Sequence, residues 1–298
     1  MKIEIAIPCY NEEATIGKVI ADFRAAVPEA EIVVYNNNST DRSAELTQKA
    51  GAQVIKVSMR GKGYVVRAIF ETSDADIVVM VDGDDTYEAA DVHTLIKPLL
   101  AGEADMTVGM RLLHHHRMQF RKMHFLGNKI ITAILNFGFK TAYSDILSGY
   151  RGFTRKFIHN TPLISNGFEI ETELIIQALE NGMAVKEVPI AFRKRPQGSA
   201  SKLGTISDGY RILLTIVSML RDHRPFLTFS VISVIQAVTG ISMWLFGFFY
   251  LEQSRWCGFL RNIGGLFVVF AMGFFLSGLI LNTINVRVHE LSSLLKRK

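Results

Sequence analysis

Ile77-Val78-Val79-Met80-Val81-Asp82-Gly83-Asp84-Asp85 is an unbroken apolar run that ends in acid. A short apolar run closed by turn residues, with no polar alternation, reads as a strand buried on both faces, the kind found inside parallel sheets. Upstream of it, apolar runs alternate with amphipathic ones. Residues 2–7, 31–35, 53–57 and 77–82 read as strands, and residues 13–26, 42–50 and 63–72 as helices. That rhythm predicts an α/β fold with a doubly wound, mostly parallel sheet, whose ligands bind at the carboxyl ends of the strands. After the first strand, however, Pro8-Cys9-Tyr10-Asn11-Glu12-Glu13 stands where a dinucleotide fold needs glycines. This argues against hydride transfer.

The acidic end of the quoted run is the strongest chemical signal. Asp82 and Asp84 flank a glycine at the edge of a buried strand. Magnesium and manganese take oxygen ligands and commonly complete their shell with water and substrate phosphate, so two carboxylates at a strand end suit either ion. The plainer alternative is an acidic turn capping the next helix, for which Asp84, Asp85 and Thr86 are also suited.

The C-terminal third has a different composition. Residues 226–250 and 263–284 contain no Asp, Glu, Lys or Arg, and each is long enough to cross a hydrocarbon core of about 30 Å as a helix. The expected organisation is a cytoplasmic catalytic domain over 1–205, an amphipathic juxtamembrane helix over 206–224, a two-helix membrane domain over 225–288 and a basic tail over 289–298. Arg211, Arg221 and Arg224 precede the first span, and Arg287, Lys296, Arg297 and Lys298 follow the second. That distribution places both termini and the catalytic domain in the cytoplasm. The opening residues carry no secretory signal. Residues 207–224 bring Tyr210, Leu213, Leu214, Val217 and Leu220 to helical spacing beside Arg211 and Arg221, as interfacial helices do. Residues 117–140 show a similar mixture, with a core-facing helix as the alternative.

The net charge of +5 fits an anionic bilayer surface and phosphate-bearing substrates, and no nucleic-acid-binding motif accompanies it. Cys9 and Cys257, on opposite sides of the expected membrane, build neither a disulfide framework nor a zinc site. His114-His115-His116 reads as an exposed loop, because three consecutive side chains do not converge on one ion. Paired spans often pack against neighbours, so a homo-oligomer is compatible with this layout.

Six motifs occur in a telling order: Ile7-Pro8-Cys9-Tyr10-Asn11-Glu12-Glu13, Asn38-Ser39-Thr40-Asp41, Gly61-Lys62-Gly63, Asp82-Gly83-Asp84, Ser148-Gly149-Tyr150-Arg151 and Gly198-Ser199-Ala200-Ser201-Lys202-Leu203. The chain thereby resembles inverting family 2 glycosyltransferases of the GT-A fold, in the polyprenyl-phosphate branch of dolichyl-phosphate mannose synthases and bacterial undecaprenyl-phosphate glucosyltransferases. The resemblance covers roughly residues 3–205. It implies a GT-A doubly wound mixed sheet followed by an interfacial helix and two transmembrane helices. It also implies metal-dependent transfer of a hexose from a nucleotide sugar, of the UDP-glucose or GDP-mannose type, to undecaprenyl or dolichyl phosphate. Two trailing spans point to a bacterial inner membrane.

By that resemblance Pro8, Tyr10, Glu12 and Asp41 line the nucleotide pocket, and Asp82, Gly83 and Asp84 bind metal and diphosphate. Arg111 contacts phosphate, and Arg195 and Lys202 form a late basic pair over the diphosphate, with Arg193 as a substitute for Arg195. Family members usually carry Asp-Asp-Gly-Ser-Thr-Asp where this chain has Asn36-Asn37-Asn38-Ser39-Thr40-Asp41. A Gln seen in the mannose synthases is replaced by Thr86.

The acceptor side follows from charge. A phosphate monoester has its second pKa near about 6, so at neutral pH it is already a nucleophilic anion and needs positioning more than a base. Arg151 and the basic residues of the segment from Arg117 to Lys129 are the expected phosphate clamp, Asp145 an orienting group or auxiliary base, and Glu171 or Glu173 the partner of a sugar hydroxyl. Two other readings compete: a processive polysaccharide synthase, and a non-catalytic membrane-surface module on a transferase fold. The fragment Gln253-Ser254-Arg255-Trp256 echoes the Gln-x-x-Arg-Trp signature of processive synthases but is one residue short.

Overall fold

The computed structural model describes residues 1–111, 122–196, 207–249 and 256–295, which divide into two compact units, Met1–Ile216 and Val217–Lys298. The first unit is built on a seven-stranded mixed sheet. In chain order its strands are β1 (Ile3–Cys9), β2 (Glu31–Asn36), β3 (Gln53–Lys56), β4 (Ile77–Met80), β5 (Met106–Arg111), β6 (Arg151–Thr154) and β7 (Val185–Ile190), and across the sheet they run β3-β2-β1-β4-β6-β5-β7. β1 pairs in parallel with both β2 and β4, whereas β6 runs antiparallel between β4 and β5.

The quoted apolar run lies at the centre of this sheet. Ile77–Met80 are all buried, and the strand ends at Met80, two residues before its expected close. The chain then turns at the acidic residues. Asp85 adopts φ +58°, a left-handed conformation that Asp tolerates through its short polar side chain.

Helices cover the sheet as hydrophobic spacing dictates. α1 (Ile16–Ala26) buries Ile16, Val19, Ile20 and Phe23, one stripe of an amphipathic helix. α2 (Ser43–Lys49) and α3 (Lys62–Thr72) follow β2 and β3, and α3 seals the sheet with Val65, Val66 and Ile69. α4 (Val92–Leu100) buries Val92, Leu95, Ile96 and Leu99. α5 (Lys122–Phe139) puts Ile131, Leu135 and Phe139 into the interior and leaves Ile130 and Phe137 exposed. Its buried stripe is core-facing, the alternative to an interfacial helix. α6 (Arg155–Asn160) and α7 (Ile170–Glu180) complete this part. α8 (Ser207–His223) buries Ile212 and Ile216 and exposes Tyr210 and Leu214.

The second unit is dominated by two antiparallel helices, α9 (Pro225–Phe249) and α10 (Trp256–Leu295). Residues 225–249 and 256–288 of these helices are long and apolar enough to cross a membrane. Small residues let the two backbones meet: a Cβ on Gly240 would lie 2.6 Å from Gly264 O, and Ser233 Oγ donates to Ala271 O at 2.7 Å. Such close approach is what holds helices together where lipid removes the hydrophobic drive.

Candidate active site

β1 is the strand at which chain order reverses, with β2 on one side and β4 on the other. Crevices at such a switch point open beyond the strand carboxyl ends. Here a cleft of about 340 Å³ opens there, lined by Pro8, Tyr10 and Glu12 after β1 and by Asp82, Gly83 and Asp84 after β4. Arg195, beyond β7, also lines it. These expected site residues are therefore brought together by the fold. The cleft also contains residues not singled out as binding groups from sequence: Asn37, Arg60, Gly61, Lys62 and Phe168.

The acidic turn is braced from several sides. Thr15 Oγ1, at the start of α1, donates to Gly83 O at 2.7 Å. Thr86 donates to Asp84 Oδ1 through its backbone N–H at 3.2 Å and its hydroxyl at 2.6 Å. Lys62 Nζ reaches Asp82 Oδ1 at 2.6 Å and Glu171 Oε1 at 2.7 Å. Burial alone would drive a proton off Lys62, but Asp82 and Glu171 outweigh it and raise its pKa. Arg195 donates to Asp84 Oδ2 and stands 3.6 Å from Glu12 Oε1. Burial, then repulsion from Asp82, raises the Asp84 pKa, with Arg195 opposing. Gly149 closes over this cluster: a Cβ there would lie 2.2 Å from Asp82 Oδ2. Tyr87 Oη fixes that loop by accepting from the Gly149 N–H at 2.9 Å.

One side of the cleft is shaped by an asparagine. Asn37 Nδ2 donates to Met59 O at 2.6 Å, and its Oδ1 accepts from the Gly61 N–H at 2.8 Å. Asn38 takes φ +61°, a left-handed conformation that asparagine tolerates, so a turn forms at Asn36-Asn37-Asn38 without a glycine. The Arg60 guanidinium lies 4.4 Å from the centre of the Tyr10 ring, a cation–π contact at the mouth of the cleft. Cys9 also lines the cleft, but burial pushes its thiol up to about 12, so it behaves as a small apolar residue.

Other expected site residues are placed elsewhere. Asp41 is not in the cleft lining; it accepts from the Ser43 N–H at 3.0 Å and from the Glu13 N–H at 3.1 Å, tying two loops. Arg111 is engaged in a bidentate pair with Asp145, at 2.6 and 2.7 Å, and donates to Leu147 O. Asp145 was the expected sugar-orienting group or auxiliary base. With both oxygens held by Arg111 and Asn128, it is instead a buried anchor for its loop. Arg151, the expected acceptor clamp, is a correction of the same kind. It is wholly buried and donates to Ser148 O and Ile146 O, so it braces the 146–149 loop from within. Lys202 lies outside the described residues, as do Arg117 and the histidine triplet.

Glu169, Glu171 and Glu173 divide their work. Glu173 accepts from the N–H groups of Ile164 and Ser165, both at 2.7 Å, and Glu169 from Gly167, which leaves Glu171 to face Lys62. Lys62 was visible in the Gly61-Lys62-Gly63 motif. Its pairing with Asp82 was not, because the two come together only when α3 packs against β1 and β2 and its first residue reaches the acidic turn.

The buried Arg111–Asp145 pair gives a stability prediction. Desolvation pushes the Asp145 carboxyl up, but the Arg111 guanidinium more than offsets it and holds the pKa below the usual 3.8. The pair's contribution is complete above that ordinary value and is lost as pH falls through the depressed one. Asp145→Asn removes the charge at every pH and strands a buried cation. It should cost about 3–5 kcal/mol in urea unfolding at neutral pH. A loss of turnover with unchanged stability would return Asp145 to the role of a base.

Asp82 and Asp84 offer hard oxygen ligands in the cleft, and among the described residues no cluster of three or more His, Cys, Asp or Glu forms a protein-only metal cage. Two carboxylates fit a cation that takes its remaining ligands from water and phosphate, as magnesium and manganese do.

Residues 4–161 match the profile of glycosyl transferase family 2. Glycosyltransferase AglJ of Haloferax volcanii is 36% identical over 243 residues, 81% of this chain and 80% of that protein. A dolichyl-phosphate hexose transferase of the same organism is 28% identical over 222 residues, 74% of this chain and 95% of that one. Glucosyl-3-phosphoglycerate synthase of Mycobacterium tuberculosis, solved with Mn2+, UDP-glucose and phosphoglyceric acid, superposes with a TM-score of 0.61. It has 23% identity and covers 74% of this chain and 79% of that one, a likeness of fold.

Proposed function

The chain belongs to glycosyl transferase family 2, and from that premise we propose that it transfers a hexose from a nucleoside diphosphate sugar to a polyprenyl phosphate at the cytoplasmic face of a membrane. The observation that carries this reading is the cleft itself. One crevice holds an aromatic–guanidinium platform at Tyr10 and Arg60, a carboxylate pair at Asp82 and Asp84, and the cations Lys62 and Arg195. Base, diphosphate and sugar each have a matching partner there. The dolichyl-phosphate hexose transferase relative and the two apolar helices support a lipid acceptor.

In this reading Pro8, Tyr10 and Arg60 hold the nucleoside. Asp82 and Asp84 would hold a divalent cation, magnesium or manganese, which when bound would neutralise charge on the diphosphate leaving group. Lys62 and Arg195 add fixed positive charge around the same group, which lowers the barrier most where water is excluded. Glu171, held beside Asp82 through Lys62, receives a sugar hydroxyl. The acceptor phosphate oxygen attacks the anomeric carbon from the side opposite the departing diphosphate, which inverts configuration. Asp145 takes no part, and none is required: a phosphate monoester arrives already deprotonated.

Full-length protein should be offered UDP-glucose, GDP-mannose and related donors with a polyprenyl phosphate, with and without manganese, and the products sized by mass spectrometry. A single hexose on the lipid phosphate, formed only with metal, is the expected product. Polymer, or no transfer from any donor, would reject the assignment. Deleting residues after Pro225 should reduce transfer to a long polyprenyl phosphate several-fold more than to a short water-soluble analogue; equal losses on both would remove the tethering argument.

A further inference from the structure

Both carboxylates of the acidic turn already hold a cation belonging to the chain. Lys62, with 7% of its side chain exposed, joins Asp82 and Glu171. Arg195, with 28% exposed, joins Asp84 and leans toward Glu12. The two arrive from separate elements, the first turn of α3 and the segment after β7. That second segment is aimed by its backbone. Arg193 N–H donates to Thr86 O at 2.7 Å, and Tyr87 forms an antiparallel bridge with Phe192, which locks residues 192–193 against the chain just beyond Asp84.

Resting on the metal reading above, we propose that Lys62 and Arg195 are built-in counter-cations of the acidic turn, which oppose entry of a bare divalent ion and admit one that comes with a diphosphate. The reason is electrostatic. An ion entering alone would bring two positive charges against Lys62 and Arg195 inside a partly buried cleft, where screening is weak. A diphosphate entering with it gives both side chains a new anion, in charge-assisted hydrogen bonds stronger than neutral ones. Arg195 is the more exposed member and its Glu12 contact is the longer, at 3.6 Å, while Lys62 keeps Glu171 at 2.7 Å. Metal and nucleotide therefore bind synergistically, and the coupling is reciprocal.

The test is manganese affinity rather than turnover. Full-length protein in detergent is titrated with Mn2+, free ion being read by its paramagnetic resonance signal, first alone and then with UDP or GDP. Arg195→Gln should bind Mn2+ alone about five-fold or more tighter than the parent, and the tightening that the nucleotide brings should shrink by a similar factor. Arg195→Lys, which keeps the charge, should stay near the parent on Mn2+ alone. An Arg195→Gln protein that binds Mn2+ alone no tighter than the parent overturns the proposal. Asp84→Asn separates the two levels. If it still binds Mn2+ like the parent, the metal reading fails; if it loses Mn2+ while Arg195→Gln shows no gain, only the counter-cation role fails.

Discussion

Asp84→Asn is expected to lower transfer by on the order of 10³-fold or more while the protein stays folded. Asp84 is 6% exposed, and it accepts from Thr86 on one oxygen and Arg195 on the other. Asparagine keeps the volume and the Oδ1 acceptor for Thr86, so the turn should survive. The negative charge facing the cleft does not. Under the proposed function several kcal/mol of leaving-group stabilisation would depend on that charge, and each 1.36 kcal/mol is a factor of ten in rate. Single-turnover rates with saturating donor, measured beside a thermal melt, decide the matter. Turnover within about ten-fold of the parent would mean that the acidic turn is not where the diphosphate departs.

The second large effect comes from a residue with no side chain. Gly149→Ala would place a methyl group 2.2 Å from Asp82 Oδ2 and 2.8 Å from Lys62 Nζ. Because the obstructing atoms are side-chain ends, the fold can absorb the clash by rotating the Asp82 carboxylate. That rotation breaks its 2.6 Å contact with Lys62 and moves it within the site. A misplacement of about 1 Å at a reacting centre can cost 10²-fold, so kcat/KM should drop by roughly that factor with little change in melting temperature. A melting temperature that collapses along with activity would make Gly149 a folding residue instead.

Much of this was legible along the chain. Ile77–Met80 identified itself as a buried strand, because a strand covered on both faces has no polar alternation to show. The helices over 16–26 and 62–72 declared themselves by apolar spacing. The order of short motifs carried the family resemblance. The roles of individual charged residues were less legible. Arg151 and Asp145 look like site residues in sequence, since exposed and buried charges are written with the same letters. Only packing shows that Arg151 donates to two carbonyls inside the core and that Asp145 is held by Arg111. The reverse holds for Arg60, which has no motif of its own and becomes part of the cleft because the β3–α3 loop, held by Asn37, brings it over Tyr10.

Sequence alone was sufficient for the alternating α/β architecture, the acid at the end of the central strand and the apolar helices at the C-terminus. Each of these is set by local spacing or composition, and none of the three depends on distant residues. The partners of the charges were decided by tertiary structure. Lys62 meets Glu171 across 109 positions of chain, and Arg195 meets Asp84 across 111. A carboxylate's behaviour depends on which cation lies within a few ångströms and how much water is excluded, and neither is encoded in its neighbours along the chain.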